Sequence, residues 1–312
     1  MQITKKRVLL PLMIPLAGVL ALALLTPDNT GAKIDPDTST GGDLTGSFTI
    51  SGNPLVSPLS RVWAAEFMRL HPGVVITVTD DASGPGALLS DAAVYQAMPE
   101  LTGDEIGQAM ASGIEPHEVR VASDALSVIR YPTNPVDLLT VAQVSAIYSG
   151  QITNWKELGG IDAPIMVYAM PPGTEANNFF KSKVLRMAGL PTEDNTVEFG
   201  KNVIYLKTAE EGNDFVADDP NAIFFTPVAV VTQEVTPTWI ARVEGDEPSK
   251  ACLETTTAGI FPIYRPLFFY TNSEPAGVVK AFIDYALSEE GQTRVMLGGY
   301  LRLFYPNGTP VG

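Results

Sequence analysis

The chain of 312 residues has a single cysteine, Cys252. No disulfide can form within it, and a multi-cysteine metal site is excluded. Histidine is almost as scarce, with only His71 and His117, which leaves little material for a zinc site. Cations are outnumbered, 20 Lys and Arg against 35 Asp and Glu, for a formal net charge of −15. Lys5, Lys6 and Arg7 sit at the N-terminus, so the rest of the chain is more acidic still. A nucleic-acid partner needs a basic face, and this balance argues against one. Catalytic signatures are missing too: there is no Gly-x-Ser-x-Gly elbow, no His-Glu-x-x-His pair and no P-loop. His71-Pro72-Gly73 reads as a helix stop, and His117 falls in a polar connection. Neither enzyme activity nor a cofactor or metal is expected.

What is present describes a folded chain, 45% hydrophobic and 18% charged, long enough for a sizeable core. Lys5-Lys6-Arg7 precede an uncharged apolar run, Val8 to Leu25, which ends at polar Thr26-Pro27-Asp28-Asn29. A basic start, an apolar run and a polar exit make a bacterial-type export signal. Cleavage fits after Ala21-Leu22-Ala23 or after Thr30-Gly31-Ala32. The run also reaches the lower edge of a membrane span, so an uncleaved anchor formed by residues 8–25 is the rival reading. No cysteine stands directly after it, which excludes a lipoprotein anchor. Both readings put the body outside the cytoplasm, periplasmic or secreted. Residues 1–32 are thus signal peptide or anchor, and residues 33–46, with Gly41-Gly42, a flexible tether.

Beyond the tether, strand and helix patterns alternate. Ser47-Phe48-Thr49-Ile50 has strand character, and Ser57 to Leu70 carries apolar residues at helical spacing. Val74 to Val78 is a β-branched strand. Gly84-Pro85-Gly86 turns into a short helix starting near Ala87. Val119 to Tyr131 is a strand region, and Thr140 with Gln143 forms a capping box for a helix ending at Gly150. Ile165 to Tyr168 reads as a strand and Thr174 as a helix start. Ala222 to Phe225 and Pro266 to Tyr270 are later strands. A final helix begins near Glu274-Pro275 and buries Val278, Val279, Phe282, Ile283 and Ala286. The alternation predicts an α/β fold with largely parallel sheets.

Several ordered phrases carry a family likeness. They are Trp63-Ala64-Ala65-Glu66-Phe67, Ala122-Ser123-Asp124-Ala125-Leu126, Asn134-Pro135, Ile147-Tyr148-Ser149-Gly150 and Asn154-Trp155 through Gly159-Gly160. Phe261 to Tyr270, containing Tyr264-Arg265-Pro266-Leu267, completes the series. Together they resemble the phosphate-binding periplasmic proteins of bacterial ABC importers over residues 46 to 312. The resemblance implies a two-lobed α/β periplasmic-binding-protein fold of type II, with the ligand cleft between the lobes. Lobe I would comprise residues 47–125 and 258–312, and lobe II residues 126–257.

The same resemblance points to site residues. The family holds its oxyanion with backbone N–H groups, Ser and Thr hydroxyls and an arginine, plus an aspartate that accepts a phosphate proton. Its first loop, Gly-Ser-Ser-Thr-like, is here Gly52-Asn53-Pro54-Leu55: Pro54 lacks an N–H and Leu55 a hydroxyl, leaving Asn53. Its second is kept as Ser83-Gly84-Pro85-Gly86. Asp91 fits the aspartate, but Gln96-Ala97-Met98 stands where the family has Ser-Arg. The fourth, Arg-x-x-Gly-Ser-Gly-Thr-like, is here Tyr168 through Pro172-Gly173-Thr174, with Glu175 adding negative charge. The candidate ligand set is therefore Asn53, Ser83, Gly84, Asp91, Tyr168, Gly173 and Thr174. Gly173-Thr174 reads equally as a helix cap, Ser83 to Gly86 as only a turn and helix start, and Asp91 as a solvated acid. Tyr168 reads either as lining for a less charged ligand or as a space-filler left by arginine, and Arg265, Trp63 and Trp155 read as packing residues.

Hydrogen bonds to charged groups contribute about 1.5–3 kcal/mol each. Losing two hydroxyls and an arginine removes on the order of 5 kcal/mol, or about three to four decades of a micromolar affinity. Two expectations follow. One is an extracytoplasmic receptor that takes phosphate or another small ligand at an altered site and serves an ABC permease. The other is an interaction or sensory module, with a membrane-protein partner, that keeps the fold but has lost tight phosphate binding.

Overall fold

The computed structural model describes residues 44–80, 93–98 and 100–303. The leader, nearly all of the tether, Ser83, Gly84, the helix start near Ala87 and Asp91 lie outside them. Strand β1 (Thr45–Gly52) opens the described chain and takes in the last two residues assigned to the tether. Helix α1 (Ser57–Leu70) follows the apolar spacing, burying Leu59, Trp63, Ala64 and Phe67. Pro58 in its first turn needs no hydrogen-bond partner there. Then come β2 (Gly73–Asp80), β3 (Val94–Ala97), helix α2 (Gly103–Ala111) and the 14-residue strand β4 (His117–Arg130). Strand β5 (Leu138–Thr140) leads into α3 (Val141–Ser149), whose Thr140 cap accepts the Gln143 N–H at 3.1 Å while Gln143 accepts the Thr140 N–H. Gly150 ends it at φ 81°, a left-handed conformation that favours glycine.

The second half holds β6 (Met166–Ala169), α4 (Glu175–Phe180) with a wider turn at Lys181–Leu185, β7 (Ile204–Tyr205), α5 (Ala209–Asp218) and β8 (Ala222–Pro227). Strands β9 (Thr236–Pro237) and β10 (Trp239–Ala241) and helix α6 (Leu253–Thr257) precede β11 (Tyr264–Thr271). The last apolar stretch forms two helices, α7 (Gly277–Leu287) and α8 (Glu289–Leu297), because Ser288 leaves helical geometry and caps the second.

Among the described residues the main sheet runs β2-β1-β3-β11-β4-β8-β6-β7. Its ends are parallel, as the alternation predicts: β1 with β2 and β3, and β6 with β7 and β8. Its centre is not. Strand β11 runs antiparallel to β3 and β4, and β4 antiparallel to β8. The expectation of largely parallel sheets is thus corrected to a mixed sheet. Periodicity reports which face of a strand is buried, whereas direction depends on where a distant strand returns.

Two large cores lie along this sheet. One gathers Phe48, Trp63, Phe67, Val121, Ala122, Leu267, Phe269, Phe282 and Val295. The other gathers Ala125, Leu126, Tyr148, Trp155, Phe180, Phe225, Phe261 and Ile263. Strand β4 passes from the first to the second between Ala122 and Ala125, and β11 returns between Ile263 and Leu267. Trp63 and Trp155 are fully buried core residues: Trp63 Nε1–H donates to Gly291 O at 2.8 Å, and Trp155 Nε1–H to Asn221 O at 3.0 Å. This mixed α/β arrangement, two cores joined by crossing strands, is the one the family resemblance implies. No helix of the described residues is long and apolar enough to cross a membrane.

Candidate functional site

The loop between β1 and α1 is held from within. Gly52 has φ 131°, and a Cβ there would lie 2.4 Å from Gln96 O, so only glycine fits. The Asn53 N–H donates to Gln96 O at 2.9 Å. Its side-chain Oδ1 accepts the Leu55 N–H at 2.9 Å, and its Nδ2 donates to Met98 O at 2.9 Å. Asn53 therefore closes its own loop in an Asx turn rather than offering a free amide. Gln96, where the resemblance expects Ser-Arg, is fully buried. Its Nε2 donates to Ser57 Oγ at 2.5 Å and Asn53 O at 3.2 Å, and its Oε1 accepts from Ser60 Oγ at 2.6 Å. It is a strut between this loop and α1. Asp80 at the end of β2 pairs with Arg61 at 2.9 Å. The Ser57 hydroxyl and Arg61 hold its carboxyl below the usual range.

The loop before α4 behaves similarly. The Thr174 hydroxyl donates to Pro171 O at 2.7 Å and accepts the Asn177 N–H at 3.4 Å, so it serves as a helix cap. Gly173, at φ 85°, is exposed with open space above its Cα. Tyr168 is only 6% exposed and packs in an apolar cluster with Ile129, Leu206, Val216 and Phe224. Its ring centroid lies 5.1 Å from that of Phe215, and burial raises its pKa, with Asp219 adding to the effect. This packing favours its reading as a space-filler where the resemblance expects arginine. Ser83, Gly84 and Asp91 are not among the described residues.

Sequence reasoning missed the group that does concentrate charge. Arg265 on β11 stands in register with Asp124 on β4, at the crossover between the two cores. Its Nε and Nη2 both donate to Asp124 Oδ2, at 3.0 and 2.7 Å. Its Nη1 donates to Glu175 Oε1 at the start of α4. The guanidinium carbon lies 4.4 Å from the centroid of the Phe179 ring. Tyr300 joins from the other core: its hydroxyl donates to Leu55 O at 2.8 Å. Burial raises the Tyr300 pKa, Asp124 and Glu175 add to the rise, and Arg265 opposes it. The charged centre thus sits between the loop before α1 and the start of α4, two of the four segments singled out from the sequence. A signal existed in Asp124 and Arg265, each inside a quoted phrase, but not in their pairing. Among the described residues no group of His, Cys, Asp and Glu could hold a metal ion.

The chain is 27% identical over 300 residues to the phosphate-binding protein PstS of Bacillus subtilis, covering 95% of this chain and 94% of the relative. The crystal structure of PstS from Borrelia burgdorferi matches in fold with TM-score 0.68 at 23% identity, over 82% of this chain and 98% of that one. A putative phosphate ABC transporter substrate-binding protein from Clostridium perfringens, solved with bound phosphate, is 28% identical with TM-score 0.51, over 82% of this chain and 99% of that one. A family model described as the PBP superfamily domain matches residues 37–290. With that match over most of its length, and with strands crossing twice between two cores, the chain belongs to the PBP superfamily.

Proposed function

We propose that the chain is the extracytoplasmic solute-binding receptor of an ABC importer, taking phosphate or a related small oxyanion in the interlobe cleft without chemical change. The observation that carries this reading is Arg265, a cation delivered from β11 to the start of α4. The family-like loop has Tyr168 where the resemblance expects arginine, and Arg265, from another family-like phrase, brings a guanidinium to the start of the helix that follows that loop. The relatives, a phosphate-binding protein and a putative phosphate ABC transporter substrate-binding protein, point the same way. Gly173, with its exposed backbone, and Ser83, Gly84 and Asp91 remain the proposed ligand contacts. Asn53 and Thr174 act by shaping their loops. The lobes are residues 47–125 with 258–312, and 126–257, except that Phe261 and Ile263 pack with the second lobe's core. Cleft closure over the ligand would present both lobes to a permease. Residues 8–25 export the chain or tether it to the membrane.

A second reading has its own observation. Arg265 already faces two carboxylates, Asp124 and Glu175, so the centre carries surplus negative charge. That favours an interaction or sensory module which has lost tight phosphate binding. Thermal unfolding of the phosphate-free protein, with and without about 1 mM phosphate, separates the two. A receptor with Kd near 10 μM gains roughly 2.7 kcal/mol at that hundredfold excess, a rise of several degrees in Tm. An unchanged Tm refutes the phosphate receptor and leaves the module.

A further inference from the structure

The three charges at the crossover are not equivalent. Asp124 and Arg265 face each other across antiparallel strands and are nearly enclosed, their side chains 13% and 11% exposed. That pair is already neutral, and burial makes it costly to separate. Glu175 is different: its side chain is 36% exposed, and it arrives from α4, an element outside the β4–β11 pair. It holds Nη1 of the guanidinium, the arm that Asp124 leaves free. Among the described residues, two side-chain hydroxyls close by are already engaged. The Thr174 hydroxyl donates to Pro171 O, the Tyr300 hydroxyl donates to Leu55 O, and Pro172 has no N–H. An anion reaching this part of the cleft therefore meets, in Arg265, a charged donor to which a carboxylate of the chain itself is already bound.

We propose that Arg265 is the anion-recognition residue of the cleft and that the Glu175 carboxylate is its resident anion, which an incoming anion must displace. The proposal deepens the receptor reading above and rests on it for the location of the ligand. A carboxylate tethered beside the guanidinium competes at a high effective concentration, so it weakens binding without altering any contact the ligand makes. Exchange of Glu175 for a monoanion leaves the charge on Arg265 unchanged. A dianion adds negative charge beside Asp124, which disfavours it. Displacement also frees the first turn of α4, so ligand entry and the position of that helix are coupled.

Glu175→Ala is the test, because it removes the resident carboxylate and leaves the guanidinium in place. The probes are sodium acetate and inorganic phosphate, each compared with sodium chloride at matched ionic strength. Acetate should raise the unfolding midpoint of Glu175→Ala relative to chloride and leave the unaltered protein unmoved. Phosphate, followed by isothermal titration, should bind Glu175→Ala roughly tenfold to a hundredfold tighter than the unaltered protein. Adding Arg265→Lys keeps a cation opposite Asp124 but removes the fork; both gains should vanish while unfolding stays cooperative. Acetate acting no differently from chloride on Glu175→Ala, or gains that survive Arg265→Lys, would overturn the assignment. Phosphate binding by the unaltered protein with an acetate-blind variant would leave the receptor reading standing alone. Acetate rescue of the variant, with no phosphate binding by the unaltered protein, would leave the Glu175 exchange standing alone.

Discussion

Gln96→Leu tests whether the loop before α1 is a strut or a ligand surface. The side chain is fully buried and makes three hydrogen bonds, to Asn53 O, Ser57 Oγ and Ser60 Oγ. Leucine fills a similar volume, so little cavity opens and the cost comes from polar groups left behind. Asn53 O keeps the Val56 N–H at 3.1 Å, and Ser57 keeps its contact with Asp80. Ser60, itself fully buried, loses its acceptor outright. A stranded buried polar group costs about 1–3 kcal/mol, and the weakened bonds to Asn53 and Ser57 add to it. The expected loss is about 2–4 kcal/mol, read as a lower urea midpoint at unchanged m-value. In thermal unfolding it corresponds to a fall of roughly 5–10 °C. Ser60→Ala on the Gln96→Leu background should recover part of the loss, because the stranded hydroxyl is then gone. A loss under about 1 kcal/mol, or a Ser60→Ala effect identical in both backgrounds, would refute the strut.

Two further outcomes follow from buried tyrosines. Burial and the hydrogen bond from the Tyr270 hydroxyl to Glu118 Oε2, 2.5 Å, push the Tyr270 pKa up, opposed by the Leu101 N–H. The folded chain holds that proton more tightly than the unfolded one, so this contribution is complete below pH about 10 and lost as pH rises through the folded value. Calorimetry across that range should show Tm falling, and Tyr270→Phe should flatten the fall. Tyr168→Arg, which restores the residue type expected from the family resemblance, should destabilise by about 2–4 kcal/mol in urea titrations, because it puts a charge among Ile129, Val216 and Phe224; a neutral result would mean that the side chain escapes the cluster.

What the sequence made legible is what short stretches of chain decide. Helix α1 runs from Ser57 to Leu70 as its apolar spacing predicts, because the residues that bury it lie within one another's reach at i+3 and i+4. The Thr140–Gln143 box and Gly150 bound α3 for the same reason: cap, box partner and left-handed stop are all local. The antiparallel centre of the sheet was not legible. It depends on β11 returning beside β4, and nothing within either strand records the direction of a neighbour more than a hundred residues away.

The site divides along the same line. Comparing loops position by position shows an arginine missing at Tyr168 and implies a site short of positive charge. Arg265 reaches Asp124 across 141 residues and Glu175 across 90, so the cation is present but comes from another strand. Local sequence can count the donors of a loop but not the charge at a point in space. On the reading proposed above, the centre departs from an oxyanion site through its second carboxylate, not through want of a guanidinium. Restoring an arginine at Tyr168 would therefore add charge to an apolar cluster and leave Glu175 on Arg265. Removing Glu175 alters the balance where the ligand would bind, and it is the substitution from which a gain in anion affinity is expected.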